Sequence, residues 1–340
     1  MRINSKRKII LGIAIALLAI LLFWLVLRFI VSRTELDEQF GDSGEWSDED
    51  GLIDLVIGDT EYVSEDNIDS YLIIGTDAGG EDLGEKYSGT LADFIVLLLI
   101  DNTTERFAFI QIDRNSMTDI QTVDDTDNVE VMPEQQLCLS HWYGADETER
   151  NNNTVQTVSY LLGGLDIDNY FTISMTDMDK INNAIGGVVV DIEEDMTNVD
   201  PAFMKGASVH LTDGQAEKFV RARMDVGDGS NKARMARQTQ YMQKAYNMVM
   251  GQLRDNPEYV NELYEQLSDI VESREEAGAD ISRITNHILQ YENLGILQFS
   301  GSTKIADTQG DGIEHEEFYV DDSSIVSVLR KVMDLRVEND

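Results

Sequence analysis

Apolar positions along this 340-residue chain fall into one long block and many short ones. The long block, Ile9–Leu27 (IILGIAIALLAILLFWLVL), is extended by Phe29, Ile30 and Val31 past Arg28. A helix rising 1.5 Å per residue over that length spans a hydrocarbon core of roughly 30 Å. Residues 9–31 are therefore predicted as a transmembrane helix, preceded by a tail of residues 1–8. A cleaved signal peptide would have an apolar region of about 7 to 15 residues followed by a small-residue cleavage site, and neither is present.

Residues 32–69 are dense in Asp, Glu, Gly and Ser and read as an acidic, self-repelling stalk, with one short strand or helix at LIDLVI. The texture changes at Tyr71. YLIIG is a short apolar run, and FIVLLLID and ERFAFIQID, joined by NTT, predict a hairpin of buried strands. Residues 115–135 read as a polar, acidic loop. NTVQTVSYLLGGL predicts a helix capped by Asn153 or Thr154 and stopped by Gly163 and Gly164. DNYFTISM is a strand, TDMDKINNAIGG a helix with Thr176 as N-cap, and VVVDI a further strand. LTDGQAEKFVRAR starts a helix at Thr212 or Asp213, and a glycine-containing loop leads into a long helix, KARMARQTQYMQKAYNMVMGQL. Helices continue through VNELYEQLSDIVES and ISRITNHILQY. A strand-turn-strand element (ILQFSGS to EEFYVD) precedes a last helix at SSIVSVLRKVMDL. Alternating strands and helices imply an α/β domain whose sheet is covered on both faces.

Charge changes the picture of partners. The chain carries 64 acidic and 26 basic residues, a net charge of −38. This excludes nucleic acid as a partner, because phosphate-backbone affinity needs cations spread over a face. Arg2, Lys6, Arg7 and Lys8 precede the apolar block and acids follow it, which places the N-terminus in the cytoplasm and the rest outside a cell membrane crossed once. The single cysteine, Cys138, forms no internal disulfide and reads as a core residue between Leu137 and Leu139.

Against that acidity, VRARMDVGDGSNKARMARQTQY concentrates Arg221, Arg223, Lys232, Arg234 and Arg237. Arg234, Arg237, Gln238 and Tyr241 share one helix face, while Met235, Met242 and Val249 lie on another. Guanidiniums in the first turns of a helix oppose its dipole unless an anion is bound there. The alternative is pairing with local acids such as Asp213, Asp225 and Asp228. Asp77 and Asp93 flank strand ends and can meet at one sheet edge, as for a hydrated divalent cation, or can be solvated loop acids. Arg114 ends a strand between Asp113 and Asn115, as an anion contact or an ion-pair partner. His141, His210, His287 and His315 lack metal-ligand spacing.

The order of these pieces, YLIIGTD, ADFIVLLLID, FAFIQIDRNSM, YLLGGLDIDNYFTISMTDMDKINNAIGGVVVDI, HLTDGQAEKFVRAR and RMARQTQY, resembles the LytR-CpsA-Psr family of bacterial cell-envelope proteins over about residues 70–250, with a similar tail to 336. The resemblance implies an αβα sandwich with a central mixed β-sheet flanked by helices. It implies an extracytoplasmic phosphotransferase that moves a glycopolymer, of teichoic acid or capsular polysaccharide type, from an undecaprenyl-pyrophosphate carrier to peptidoglycan. It further implies Mg²⁺ (or Mn²⁺) at Asp77 and Asp93, catalytic roles for Asp93 and Arg114, and pyrophosphate binding by Arg114, Arg221, Arg223, Arg234 and Gln238. The partners are then the polyprenyl-pyrophosphate-linked glycopolymer, peptidoglycan, and the membrane through the N-terminal helix. Three departures stand out. Leu91 replaces a usual basic residue, Asp113-Arg114-Asn115 replaces Pro-Arg-Asp, and either Asp228 or Asn231 takes the place of an aspartate ahead of Arg234. Two other readings of the same site are a non-catalytic module that binds polyprenyl phosphate or wall polymer, and a lipid pyrophosphatase.

Overall fold

The computed structural model describes residues 52–77, 90–123, 129–212, 214–223, 226–256, 259–267, 269–274 and 287–338. The predicted membrane helix 9–31, the tail 1–8, residues 32–51 of the predicted stalk and most of ISRITNHILQY lie outside them. Among the described residues no helix is long and apolar enough to cross a membrane.

In chain order the elements are β1 (Leu52–Ile57), β2 (Thr60–Glu65), β3 (Ile68–Thr76), β4 (Ala92–Asp101), β5 (Arg106–Ile112), β6 (Met117–Val123) and β7 (Val129–Gln136). A 3₁₀ turn at Leu137–Trp142 leads to α1 (Glu147–Leu161), β8 (Asn169–Ser174), α2 (Met178–Ala184), β9 (Val189–Asp191) and β10 (Ser208–His210). Then come α3 (Gln215–Arg221), α4 (Asn231–Asp255), α5 (Tyr259–Leu267), β11 (Val271–Ser273), β12 (Glu292–Gln298), β13 (Gly301–Ala306), β14 (His315–Val320), α6 (Asp322–Val332) and β15 (Arg336–Val337).

Six strands form the central sheet in the order β11-β8-β3-β4-β5-β12. It is mixed: β3 runs parallel to β8 and β5 parallel to β12, whereas β3–β4, β4–β5 and β8–β11 are antiparallel. Both faces are covered, which is why β3 and β4 read as unbroken apolar runs. Tyr71, Ile73, Phe94, Val96 and Leu98 face one core with residues of α2, α3, α4 and α5. Leu72, Ile74, Ile95, Leu97 and Leu99 face a second core with residues of α1, α6 and β1. The domain is thus an αβα sandwich, as the resemblance implies.

Several local expectations are corrected. The stalk does not extend to residue 69, because β1 and β2 pair with each other and β15 joins β2. Leu55 and Ile57 reach the core, and two inward side chains were too few to stand out among the acids. The expected loop 115–135 is mostly the β6–β7 hairpin, which meets α1 where Gln121 N donates to Thr157 Oγ1 at 3.1 Å and which buries Ile120. Helix α1 starts earlier than Asn153, at Glu147, because the Asp146 carboxylate caps it by accepting from Glu149 N at 3.0 Å. Thr176 does not cap α2. Ser174 caps a 3₁₀ turn at Met175–Asp177 instead. Gly214, at φ 74°, precedes α3, Thr212 bonds the Gln215 side chain, and the other expected cap, Asp213, lies outside the described residues. IVES is not helical, because Val271–Ser273 adds an edge strand to β8. The NTT turn, the glycine stops at Gly163 and Gly164, and α4 stand as expected.

Candidate functional site

The site gathers at one edge of the central sheet, where β3 ends and β4 begins, and α4 lays its first turns over that edge. Thr76 pairs with Ala92 after an irregularity in the ladder, and Asp77 closes the pair. Its N–H donates to Leu91 O at 3.0 Å, and its Oδ1 accepts from Leu91 N at 2.9 Å. Leu91, where the resemblance leads one to expect a basic residue, thus meets Asp77 through its backbone. Asp93 follows two residues on. Its Oδ1 lies 3.2 Å from Arg114 Nη1 at the end of β5, and its Oδ2 lies 3.5 Å from Arg234 Nη1 on α4.

Ser230 caps α4 by accepting from Ala233 N at 3.2 Å, which fixes where the first turn presents Asn231 and Arg234. Asn231 Oδ1 accepts from Arg234 Nε at 3.1 Å and Nη2 at 2.5 Å. Its Nδ2 donates to Asp113 Oδ1 at 2.5 Å, and its N–H donates to Glu316 Oε2 at 3.0 Å. Arg223 Nη2 donates to the same Glu316 oxygen at 2.6 Å, and Arg223 Nε donates to Gly229 O at 3.2 Å. The two candidates for the aspartate position differ in where they lie. Asn231 points into the site, whereas Asp228 lies exposed and accepts from Ser230 N.

Electrostatics separates the arginines. Burial pushes Arg234 down to about 10; Asp93 opposes the shift, and the nearby Arg114 and Arg223 cations add to it. Arg234 remains charged at neutral pH but is under-compensated. Burial also pulls on Arg114, yet its guanidinium sits above its ordinary value. The Cys138 thiol beside it is itself pushed up by burial and is neutral at pH 7, so Asp93 and Asp77 account for the rise. Burial raises the Asp113 carboxyl against the hydrogen bonds from Asn115 and Asn231, and Glu316 adds to the rise. Among the described residues three consecutive ones carry buried donors with no partner: Arg114 Nε, Asn115 Nδ2 and Ser116 Oγ. Orphaned donors beside crowded cations have hydrogen-bonding capacity that an oxygen-rich anion could take up.

Not every expected residue joins this cluster. Arg221 pairs with Glu217 one turn back on α3 at 2.5 Å and borders an open groove of about 470 Å³ that Arg223 also lines. Gln238 spends its amide on Val220 O and Gln111, both at 3.3 Å. It lines an apolar cavity with Ile73, Gly75, Phe94, Met175, Met178 and Tyr241. That cavity begins one turn of α4 from Arg234, and its volume of about 20 Å³ holds no more than one water. Arg237 is tied to Glu194 at 2.6 Å and to the carbonyls of Phe219 and Ala222. The sequence reading missed Glu316, since an acid far along an acidic chain carries no signal, and it placed the polar stripe of α4 apart from the buried one when the two are the same.

Among the described residues no three His, Cys, Asp or Glu side chains converge on a metal. Asp77 and Asp93 do share the sheet edge and both act on Arg114. Two carboxylates suit a cation that keeps much of its water and takes phosphate oxygens, as Mg²⁺ or Mn²⁺ does.

Fold and site define an αβα sandwich protein with a basic sheet edge beside an apolar cavity. The profile of the LytR_cpsA_psr family matches residues 52–314, and the chain belongs to that family. No curated protein sequence matches the chain. Among solved structures, gbs0355 from Streptococcus agalactiae is 18% identical with a TM-score of 0.60, covering 78% of this chain and 86% of that one. TagV from B. subtilis is 18% identical with a TM-score of 0.55, covering 78% and 96%. TagT bound to LI-WTA is 16% identical with a TM-score of 0.55, covering 78% and 89%. At these identities the likeness establishes the fold.

Proposed function

We propose that this protein is a membrane-anchored, extracytoplasmic transferase that passes a glycopolymer from a polyprenyl-pyrophosphate carrier to peptidoglycan. The observation that carries the reading is Asp93 held between Arg114 and Arg234, one helical turn from an apolar cavity. A charged clamp beside an apolar pocket matches a ligand with a phosphate head and a hydrocarbon tail. TagT, alike in fold, is bound in its structure to LI-WTA, a wall teichoic acid ligand, which supports a glycopolymer here.

In the transfer, an acceptor sugar hydroxyl forms an O–P bond to the phosphorus that carries the glycopolymer. The bridging P–O bond breaks, polyprenyl phosphate leaves, and the hydroxyl proton is released. Arg114, Arg234 and Arg223 hold the phosphoryl oxygens and neutralise the charge that builds on the leaving phosphate, and such positioning and charge stabilisation carry most of this chemistry. Burial keeps water from screening those contacts. Asp77 and Asp93 would hold the divalent cation, whose charge would add to that of the arginines. The cavity lining includes Met175, Met178 and Met242, flexible side chains that can repack to admit a chain.

The test is to incubate the protein in detergent with a labelled lipid-pyrophosphate glycan and peptidoglycan fragments, with and without Mg²⁺. Label on peptidoglycan supports transfer. Free phosphate without attachment would make the protein a pyrophosphatase, and tight binding with neither product would make it a binding module.

A further inference from the structure

The first turn of α4 and Arg223 form an anion site that is already filled from within the chain. Glu316 Oε2 accepts from Arg223 Nη2 at 2.6 Å and from the Asn231 N–H at 3.0 Å. A carboxylate oxygen thus takes a guanidinium and a helix N-terminal amide, the donors that a phosphate oxygen would take. Glu316 is not carried by the sheet edge that bears Asp77 and Asp93. It lies on β14, paired with Ile305 of β13. That hairpin is pinned beside the site by Phe318 N donating to Asn115 O at 2.9 Å and by Gln136 Nε2 donating to Glu316 O at 2.9 Å. The backbone is therefore fixed while the carboxylate, with a side chain 17% exposed, can swing outward.

We infer that Glu316 is a specificity-determining residue that occupies the Arg223–α4 anion site as an internal carboxylate and admits only ligands charged strongly enough to displace it. A small anion such as sulfate, which reaches only Arg223 and the α4 amide, gains little more from them than Glu316 already does, and Glu316 is present at the high effective concentration of a tethered group. A pyrophosphate brings several charges and engages Arg114 and Arg234 as well, so it prevails. Asn231 is part of the filter. It presents its N–H to Glu316 and its side chain to Asp113 and Arg234, so displacement at one donor is felt by the neighbouring groups. This inference rests on the reading of the edge as a pyrophosphate site.

The test compares binding of inorganic pyrophosphate and of sulfate to the full-length protein and to Glu316→Gln, which keeps the size and one acceptor oxygen but removes the charge. The variant is expected to bind pyrophosphate about tenfold more tightly and to gain still more for sulfate, so that discrimination between the two shrinks. Pyrophosphate binding that is unchanged or weaker in Glu316→Gln would overturn the inference while leaving the site reading intact. Absence of pyrophosphate binding in both proteins would overturn the site reading and the inference with it. A structure of the unaltered protein with pyrophosphate needs no variant. A ligand oxygen on Arg223 with Glu316 swung away supports displacement, and a bound ligand with the Arg223–Glu316 pair intact refutes it.

Discussion

Arg234 and Arg237 lie three residues apart on α4, are 4% and 7% exposed, and bear the same charge. Their surroundings divide them. Arg237 has a carboxylate of its own, Glu194, and two carbonyls that close the end of α3 onto α4. Burial lowers its pKa and Glu194 counteracts the shift. Arg234 shares Asp93 with Arg114, faces a third cation in Arg223, and is pushed down to about 10. The comparison teaches how to tell a structural arginine from a binding one. A buried guanidinium with private acceptors holds the fold together, whereas one that shares its counter-ion has capacity for an external anion.

The largest expected effect belongs to Arg237. Arg237→Ala leaves Glu194 and two backbone carbonyls without their donor and should cost about 3 kcal/mol of stability, the low end for a broken buried pair because Glu194 is 32% exposed. Urea unfolding measures it, and a loss below about 1 kcal/mol would erase the division. Next come Arg114→Ala and Arg234→Ala, each expected to weaken lipid-pyrophosphate binding by more than tenfold, about 1.4 kcal/mol or more. Arg234→Ala should disturb unfolding much less than Arg237→Ala, because Asp93 keeps Arg114.

The cavity offers a way to separate head from tail. A Cβ on Gly75 would come 2.7 Å from Met175 Sδ and 2.9 Å from Phe94 Cβ, so Gly75→Ala overpacks the wall at a cost of about 1 to 3 kcal/mol. It should reduce affinity for a long-chain polyprenyl phosphate several-fold and leave inorganic pyrophosphate binding unchanged, read by titrating both ligands. Equal losses would mean that the apolar pocket and the charged edge are not separate subsites.

These contrasts also show what the sequence made legible. The strands of the central sheet were plain because Tyr71–Ile74 and Phe94–Ile100 are buried on both faces and leave continuous apolar runs. Asp77, Asp93, Arg114 and Arg234 could be found through the resemblance to a known family. The β1–β2 and β6–β7 hairpins were hidden because few of their residues reach a core. Glu316 was hidden for a different reason. Its importance comes from a pairing across 93 positions with Arg223, and only tertiary structure singles it out from the other acids. Arg237 and Arg234 share a helix face, so spacing alone could not assign their roles.

The smallest expected effects on head-group affinity concern the metal and an exposed cation beside the site, Lys232. If Asp77 and Asp93 hold Mg²⁺ while the arginines hold the head group, chelation should abolish transfer yet change pyrophosphate affinity by less than about threefold, since the charge-assisted bonds to Arg114 and Arg234 persist. Asp77→Asn should reproduce the effect of chelation, with transfer lost and binding kept. Lys232 sets the lower bound. It lies exposed at the second residue of α4, next to Asn231 and two positions before Arg234, so a diffuse basic patch would use it as much as its neighbours. Lys232→Ala should therefore alter lipid-pyrophosphate affinity by less than about twofold at physiological salt, where an exposed charge is screened within about 8 Å. A loss equal to that of Arg234→Ala would show that the chain binds anions through general charge at this end of α4, and the distinction between shared and private counter-ions would lose its force.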